Sequence, residues 1–528
     1  MGVAADRIVL AMDTRPLLTQ TLGVPHSAPR KSSQPDQCPS LRLNWFDPLI
    51  WGMLLKRFYD ENLAQASYLI ACQATGDAIV IDPNRDIAQY VRAAEEEQVR
   101  LSHVTETHIH ADFVSGAREL AAVTGAKLLL SDEGGDDWRY AFAASDHATL
   151  LHDGDVIRVG NIRLDVVHTP GHTPEHISFV VTDGAATDRP MGALTGDFIF
   201  VGDVGRPDLL ERAANIAGTM ESGARALFAS IQRFSAYPDY LQLWPGHGAG
   251  SACGKALGAV PSTTLGYEKI ANWAFASQSE EDFVQRVLDG QPEPPKYFAE
   301  MKRINRAGPP LRGALVPPRH LDAKRLPDIL ESGALVVDTR AAKDFAARLV
   351  PRTINIPLGR SFTNWAGSLI PFDRDFYLII DDTDSRRVAD AQRNLAMIGL
   401  DHLVGYFGAD AVDTYTASGG TTETVRQMTV SQLVSAKAGS VIQVVDVRGA
   451  AEWGAGHMPG VPNIPLGTLL DHLDQLSRDR PVVVHCQGGG RSSIAASILK
   501  ANGFEDVANL VGGFGEWSRR GHDVAQSE

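Results

Sequence analysis

Cysteine is scarce in this 528-residue chain: Cys38, Cys72, Cys253 and Cys486 are scattered and never in CxxC spacing. That speaks against a disulfide scaffold and against a structural zinc finger. Long apolar runs are missing too. No stretch approaches about 18 uninterrupted apolar residues, so no transmembrane helix is expected. Basic residues are outnumbered, 49 Lys and Arg against 64 Asp and Glu, for a net charge of −15. Nucleic acid and anionic membranes both reward clustered cations, so neither is expected as a partner. Residues 1–52 lack any sustained apolar period and carry Pro16, Pro25, Pro29, Pro35, Pro39 and Pro48. They also lack the basic start, apolar core and small-residue cleavage site of a signal peptide. They read either as a disordered extension or as a mis-annotated one ahead of a true start at Met53. What is there, 44% hydrophobic and 21% charged, is the composition of a folded, cytoplasmic protein of about three or four domains. A homo-oligomer is compatible with it.

From Met53 the pattern becomes regular. Ala78-Ile79-Val80-Ile81, closed by Asp82-Pro83, reads as a buried strand ending in a turn. Residues 86–100 place Ile87, Tyr90, Val91 and Ala94 on one helical face. Strands are predicted at Leu101 to Glu106, Lys127 to Leu130, Ile162 to Val167 and His176 to Val181, with a helix from about Ser115. The mixture implies a layered α/β domain over 53–285. Its polar residues sit at the ends of apolar runs beside Gly or Pro: His108-Ile109-His110-Ala111-Asp112, His168-Thr169-Pro170-Gly171-His172-Thr173, Thr195-Gly196-Asp197 and Trp244-Pro245-Gly246-His247-Gly248. In an extended segment His108, His110 and Asp112 point the same way. Each is a loop at a strand end, where backbone segments can converge on one ion.

This ordered set resembles the metallo-β-lactamase fold, an αββα sandwich with a metal site at one edge. In the two-metal hydrolases of that superfamily, such as glyoxalase II, the first motif is HxHxDH. Here its last position is Phe113, which cannot ligate, and that favours one ion over two. The run Phe58 to Ile70 resembles the start of the persulfide dioxygenases, a glyoxalase II-like branch. The resemblance implies one Fe(II) per chain held by His108, His172 and Asp197, with zinc as the alternative metal. Two imidazoles and one carboxylate leave open positions suited to non-haem iron and dioxygen. His110, Asp112 and His247 then orient ligands or substrate, although His110 is itself a ligand in the zinc relatives. The loop Gly248 to Lys255 resembles that of persulfide dioxygenases fused to rhodanese domains. It places Cys253 near the metal mouth, either as a sulfur relay or as a small buried apolar residue. Cys72, inside an apolar strand, reads as packing.

Residues 286–320 carry seven prolines and read as a semi-rigid linker or a strap along the surface. The chain then repeats itself at an offset of 108: Val336-Val337-Asp338-Thr339-Arg340 matches Val444-Val445-Asp446-Val447-Arg448, and Asn355-Ile356-Pro357-Leu358 matches Asn463-Ile464-Pro465-Leu466. Two copies of one domain are implied, over 321–420 and 427–525. In the second, the apolar run Pro481 to His485 ends at Cys486 and is followed by Gln487-Gly488-Gly489-Gly490-Arg491 and a helical run. Glycines let successive N–H groups turn inward as an anion cradle at a helix N-terminus, which lowers a thiol's pKa and favours the reactive thiolate. The loop resembles that of the rhodaneses. A cysteine phosphatase needs five residues between Cys and Arg, and only four separate Cys486 from Arg491. Cys486 and Arg491 are therefore the expected catalytic residues, with Gln487, Gly488, Gly489 and Gly490 as the cradle. In the first copy Leu378 to Asp382 aligns with Val482 to Cys486, which puts Asp382 at the nucleophile position and makes that copy inactive.

The whole order resembles the bacterial persulfide dioxygenase–rhodanese fusions of sulfide detoxification. That implies a low-molecular-weight thiol persulfide, dioxygen and sulfite as small-molecule partners, and thiosulfate as product. A zinc thiolester hydrolase of the glyoxalase II kind with an attached sulfurtransferase is the alternative.

Overall fold

The computed structural model describes residues 52–526 except 215–217, 256, 314 and 438–441. The N-terminal extension, with its two readings and Cys38, lies outside the described residues. Among them no helix is long and apolar enough to cross a membrane.

The first domain is two six-stranded sheets packed face to face. One runs Met53–Asp60, Gln65–Cys72, Asp77–Ile81, Arg100–Thr105, Lys127–Ser131 and Thr149–Leu151 side by side in chain order. The other runs Val156–Val159, Ile162–His168, Ile177–Asp183, Gly192–Gly196, Gln242–Pro245 and Thr263–Thr264. Strand alternation builds the layers, because successive side chains leave opposite faces. In Gln65–Cys72, Tyr68, Ile70 and Cys72 point into the sandwich against Leu164, Ile177 and Phe179. Leu69 and Ala71 point outward under Tyr90 and Leu120 of the covering helices Ala88–Glu96 and Ala117–Thr124. Helix Thr219–Phe234 covers the other sheet through Leu227, Ile231 and Phe234. The result is an αββα sandwich with Cys72 as interior packing.

The proline-rich stretch is not a surface strap. Within it Phe298–Ala307 forms a helix whose Phe298, Met301, Lys302 and Asn305 are buried. Its prolines cluster outside those ten residues, so the periodic face of Phe298, Met301 and Asn305 is free to form a helix and bury. Asn305 Nδ2 donates to the carbonyls of His110 (2.8 Å) and Phe113 (2.7 Å), and its Oδ1 accepts from Ser115 N (2.9 Å). Phe113 belongs to an apolar core that also holds Phe298, Met301 and Met397. The residue that breaks the HxHxDH pattern is thus packing between domains. The first repeat docks onto the sandwich through Val114 N to Met397 O (2.7 Å), the Arg85–Asp401 pair (2.8 Å) and Arg393 between Asp60 (2.7 Å) and Asp86 (2.8 Å).

Each repeat is built on a parallel sheet. The first orders its strands Arg319–His320, Leu403–Phe407, Phe376–Ile379, Leu335–Asp338 and Ile354–Asn355; the second orders Arg426–Met428, Val507–Leu510, Val482–His485 and Gln443–Asp446. The hydrogen bonds repeat as the sequence does. Asn355 Nδ2 donates to Asp338 O and Arg340 O, and Asn463 Nδ2 donates to Asp446 O and Arg448 O. The ladders correct one expectation. Asp338 lies opposite Ile379 as Asp446 lies opposite His485, so the residue standing where Cys486 stands is Ile380, not Asp382. Sliding an apolar strand by two residues keeps its side chains on the same faces, so sequence matching could not detect the slip. Ile380 is buried and has no nucleophile. The two repeats share a core, in which Val337 and Ile356 join Val445, Ile494 and Ile498, and Ser497 Oγ accepts from Asn355 N (2.8 Å).

Asn305→Ala would leave two carbonyls and one N–H unpaired in the interior. Each orphaned buried group costs about 1–3 kcal/mol. The variant should melt several degrees below wild type in calorimetry of the metal-free protein; an unchanged melting temperature would refute this bracing role.

Candidate metal centre and sulfur-carrier loop

The first constellation sits where the strands of the sandwich end. His108 follows Arg100–Thr105, His172 lies between Ile162–His168 and Ile177–Asp183, Asp197 follows Gly192–Gly196, and His247 follows Gln242–Pro245. Gly196 makes the turn before Asp197 with φ +49°, and a Cβ there would lie 2.4 Å from Thr107 Oγ1. The donor atoms of His108, His172 and Asp197 all fall within 4.8 Å of one another, and all three residues are buried. His172 Nε2 is 3.6 Å and His108 Nε2 3.9 Å from Asp197 Oδ2. The far ring nitrogens are occupied: His172 Nδ1 by Arg206 O (3.1 Å) and His108 Nδ1 by Thr107 Oγ1 (3.0 Å). This turns each Nε2 inward.

The electrostatics suit a cation. His172 Nε2 and both Asp197 oxygens are buried with no hydrogen-bond partner. Burial, then the neighbouring imidazoles, hold His108 well below the ordinary histidine range. Burial and the Lys302 charge do the same to His172. Both rings are neutral with a lone pair to give, the form a metal ligand needs. Burial lifts the Asp197 carboxyl to about 6, with His247 opposing and Asp112 adding to the rise. A buried carboxylate without a donor is costly unless a cation compensates it. The residues therefore fit a metal ion of two-histidine, one-carboxylate type.

His110 lies beside His108, with its Nδ1 buried and without a hydrogen bond, but falls outside the cluster of His108, His172 and Asp197. The segment after Thr105 bends rather than continuing extended, and His110 Nε2 meets Asp82 Oδ1 at 3.1 Å. Burial opposes its charge, but Asp82 prevails and raises it to about 9. Alternation in an extended strand therefore does not describe this loop. Asp112, His247 and Cys253 form a second buried group within 4.8 Å. His247 Nε2 is 3.4 Å from both Asp112 Oδ2 and Asp197 Oδ1, and His247 Nδ1 is bound to Ala64 O (2.9 Å). Burial, then the charges of Asp197 and Asp112, push the Cys253 thiol well up.

The second constellation follows Val482–His485. Cys486 ends the strand, and the helix Gly490–Ala501 begins four residues later. Gly489 adopts φ +109°, its N–H points at Cys486 Sγ (3.1 Å), and Ser492 Oγ lies 3.5 Å from the sulfur. Burial works against the thiolate, yet Ser492 and the N–H groups of Ser492, Gly489 and Gly488 bring the thiol below its ordinary value. Gly513, at φ +52°, lets Phe514 N reach Cys486 O (2.8 Å); a Cβ there would stand 2.1 Å from that oxygen. Arg491 is paired bidentately with Glu452, one contact at 2.8 Å. Gln487 Oε1 accepts from Arg448 Nη1 (3.3 Å), and Arg448 is itself buried on Asp446 (2.7 Å).

Several residues of these sites carry no motif signal. Asp82 binds Thr107 N (2.6 Å) and His110. Glu175 Oε1 accepts from Ile109 N (2.9 Å), and His176 Nε2 accepts from Asp197 N (3.1 Å). Arg206, buried on Asp208 (2.7 Å), ties Ala252 O beside Cys253 to Pro292 O. Lys302 and Asn305 arrive from the supposed linker. Only the short polar runs Glu175-His176 and Arg206-Pro207-Asp208 beside known motifs could have hinted at any of them.

A family model described as the metallo-β-lactamase superfamily matches residues 61–247, and one described as the rhodanese-like domain matches residues 429–520. The crystal structure of a metallo-β-lactamase from Staphylococcus aureus subsp. aureus COL is 44% identical, with 67% of this chain and 98% of that chain covered at a TM-score of 0.60. A β-lactamase hydrolase-like protein of Xylella fastidiosa (strain 9a5c) is 28% identical over 48% of this chain, and the match spans 59% of that protein's length. A hydroxyacylglutathione hydrolase of Nitrosococcus oceani is 31% identical over 37% of this chain and 66% of its own length. The chain belongs to the metallo-β-lactamase superfamily, and its metallo-β-lactamase fold is followed by a rhodanese-like domain.

Proposed function

We propose that the protein oxidises a low-molecular-weight thiol persulfide, such as glutathione persulfide, to sulfite and thiol, and passes a sulfane sulfur through Cys486 to give thiosulfate. One observation carries this reading: a single chain holds a two-histidine, one-carboxylate cluster and a thiol in an N–H cradle. The first reaction balances as RSSH + O₂ + H₂O → RSH + SO₃²⁻ + 2 H⁺. Fe(II), when bound by His108, His172 and Asp197, supplies the one-electron chemistry with dioxygen that no side chain can. Arg206 O and Thr107 Oγ1 hold the imidazoles in the ligating orientation, and Phe113 with the linker helix keeps bulk water from the inner side. At the second site the Cys486 thiolate takes the outer sulfur of a second thiol persulfide, whose S–S bond breaks to release its thiol; the Cys486 persulfide then gives that sulfur to sulfite, and the thiolate leaves into the N–H cradle. Tethering raises the local sulfite concentration at that loop. The first repeat, with Ile380 at the nucleophile position, is an inactive rhodanese that builds the shared core. The fold family of the first domain and its persulfide dioxygenase-like opening run support the reading.

A second reading has an observation of its own. Asp112, His247 and Cys253 converge beside Asp197, and a relative named hydroxyacylglutathione hydrolase matches 37% of this chain. Filled by two zinc ions, the centre would hydrolyse a thiolester. Metal analysis of anaerobically purified protein separates the two: about one iron per chain supports the dioxygenase, and two zinc ions without iron sink it.

His172→Ala should lose iron and oxygen uptake together, each by more than about tenfold. Cys486→Ser should keep wild-type oxygen uptake yet accumulate sulfite in place of thiosulfate; thiosulfate at the wild-type rate would refute the relay. Because the Cys486 thiol is lowered, the thiolate persists above its folded pKa, and sulfur transfer should fail only as pH falls through that value, below the range of a free thiol. Ser492→Ala should move this acid limb upward in a pH–rate profile, and an unmoved limb would exclude Ser492 as the cause.

A further inference from the structure

The helix Phe298–Ala307 sends one charged side chain inward. Lys302 is 7% exposed, and its ammonium is buried with no hydrogen-bond partner. It sits under the ring of Trp138, 4.7 Å from the centroid. Its charge bears on His108, His172 and Glu175, and it in turn feels Asp197 and Cys253. Yet no carboxylate among the described residues lies at ion-pair distance from it. Glu175, the first of the charges it feels, accepts from Ile109 N through Oε1, while its Oε2 is buried without a hydrogen bond and lies outside ion-pair distance of Lys302. Burial lowers the ammonium to about 8, with Glu175, Cys253 and Asp197 opposing. An ammonium has three protons to donate and nothing to accept. Burying one unpaired is costly, and an anion brought by a ligand would compensate it. An aromatic face contributes only part of that compensation.

We propose that Lys302 binds the product of the metal centre, its ammonium holding a small sulfur oxyanion, sulfite, beside His108 and His172. The name of the anion rests on the dioxygenase reading; the anion site itself rests on the unpaired ammonium. Sulfite carries up to two charges and three oxygens, and Lys302 is the lysine buried without a hydrogen bond among the described residues. Trp138, half-buried, lies over Lys302. The proline-rich segment is then part of the active site, which explains why it folds inward.

The test uses full-length protein loaded anaerobically with cobalt(II) and titrated with sulfite. The visible d–d absorption reads only the metal centre, so sulfite bound at the Cys486 loop is silent. Wild type should shift saturably. Lys302→Met should bind sulfite about tenfold or more weakly, the loss of one charge-assisted hydrogen bond, with unchanged cobalt content and a melting temperature no lower than wild type, because it removes an unpaired buried charge. Lys302→Arg should recover most of the affinity. Wild-type affinity in Lys302→Met, loss of cobalt along with affinity, or a wild-type spectrum indifferent to sulfite would each overturn the proposal. Oxygen uptake with glutathione persulfide, measured in parallel on wild type, reports separately on the dioxygenase: its failure would leave the sulfite titration decisive for the anion site.

Discussion

A buried carboxylate with no donor is the constraint around which the first domain is arranged. Asp197 faces His108, His172 and His247 with both oxygens unpartnered. Such a group is costly unless a cation compensates it; His247 does so in part, and a metal ion would complete the compensation. Placing these groups together requires four loops from both sheets to close on one point. The turn at Gly196 and the carbonyls of Arg206 and Ala64 fix where the imidazoles and the carboxylate point. The apolar sandwich beneath them supplies the rigidity that keeps unpaired polar atoms from relaxing toward water.

The linker helix extends this arrangement across the domain boundary. Asn305 closes three backbone hydrogen bonds around the loop that carries His110 and Phe113, and Lys302 sets a charge beside the ligands. Phe113 packs with Phe298 and Met301 while Val114 bonds the first repeat. Phe113 therefore stands where the HxHxDH pattern has its last histidine and supplies apolar surface to an interdomain core. The first repeat braces the helix behind Cys486 through Asn355 and Ser497.

The two repeats show how much a register matters. Their Asp–Arg and Asn hydrogen bonds are the same, residue for residue, because these lie where sequence identity is retained. The strand before the active loop is different: it is a run of interchangeable apolar residues, and only the ladder fixes its alignment. That is why Asp382 seemed to replace the cysteine and Ile380 does.

The sequence by itself determined the layered α/β character, the strand-end placement of His108, His172, Asp197 and His247, the repeat, and the glycine-rich loop after Cys486. Each of these is written in local pattern: period-two apolar runs, punctuation by Gly and Pro, and spacing from a nucleophile to a helix. Tertiary structure alone decided that His110 turns to Asp82, that Cys253 joins Asp112 and His247, that Arg491 is paired with Glu452, and that Lys302 enters the site from a segment read as a strap. These are contacts between residues far apart in the chain, set by which loops the packed sheets and helices bring together. No local pattern encodes such a meeting, because its energy exists only once the core has formed.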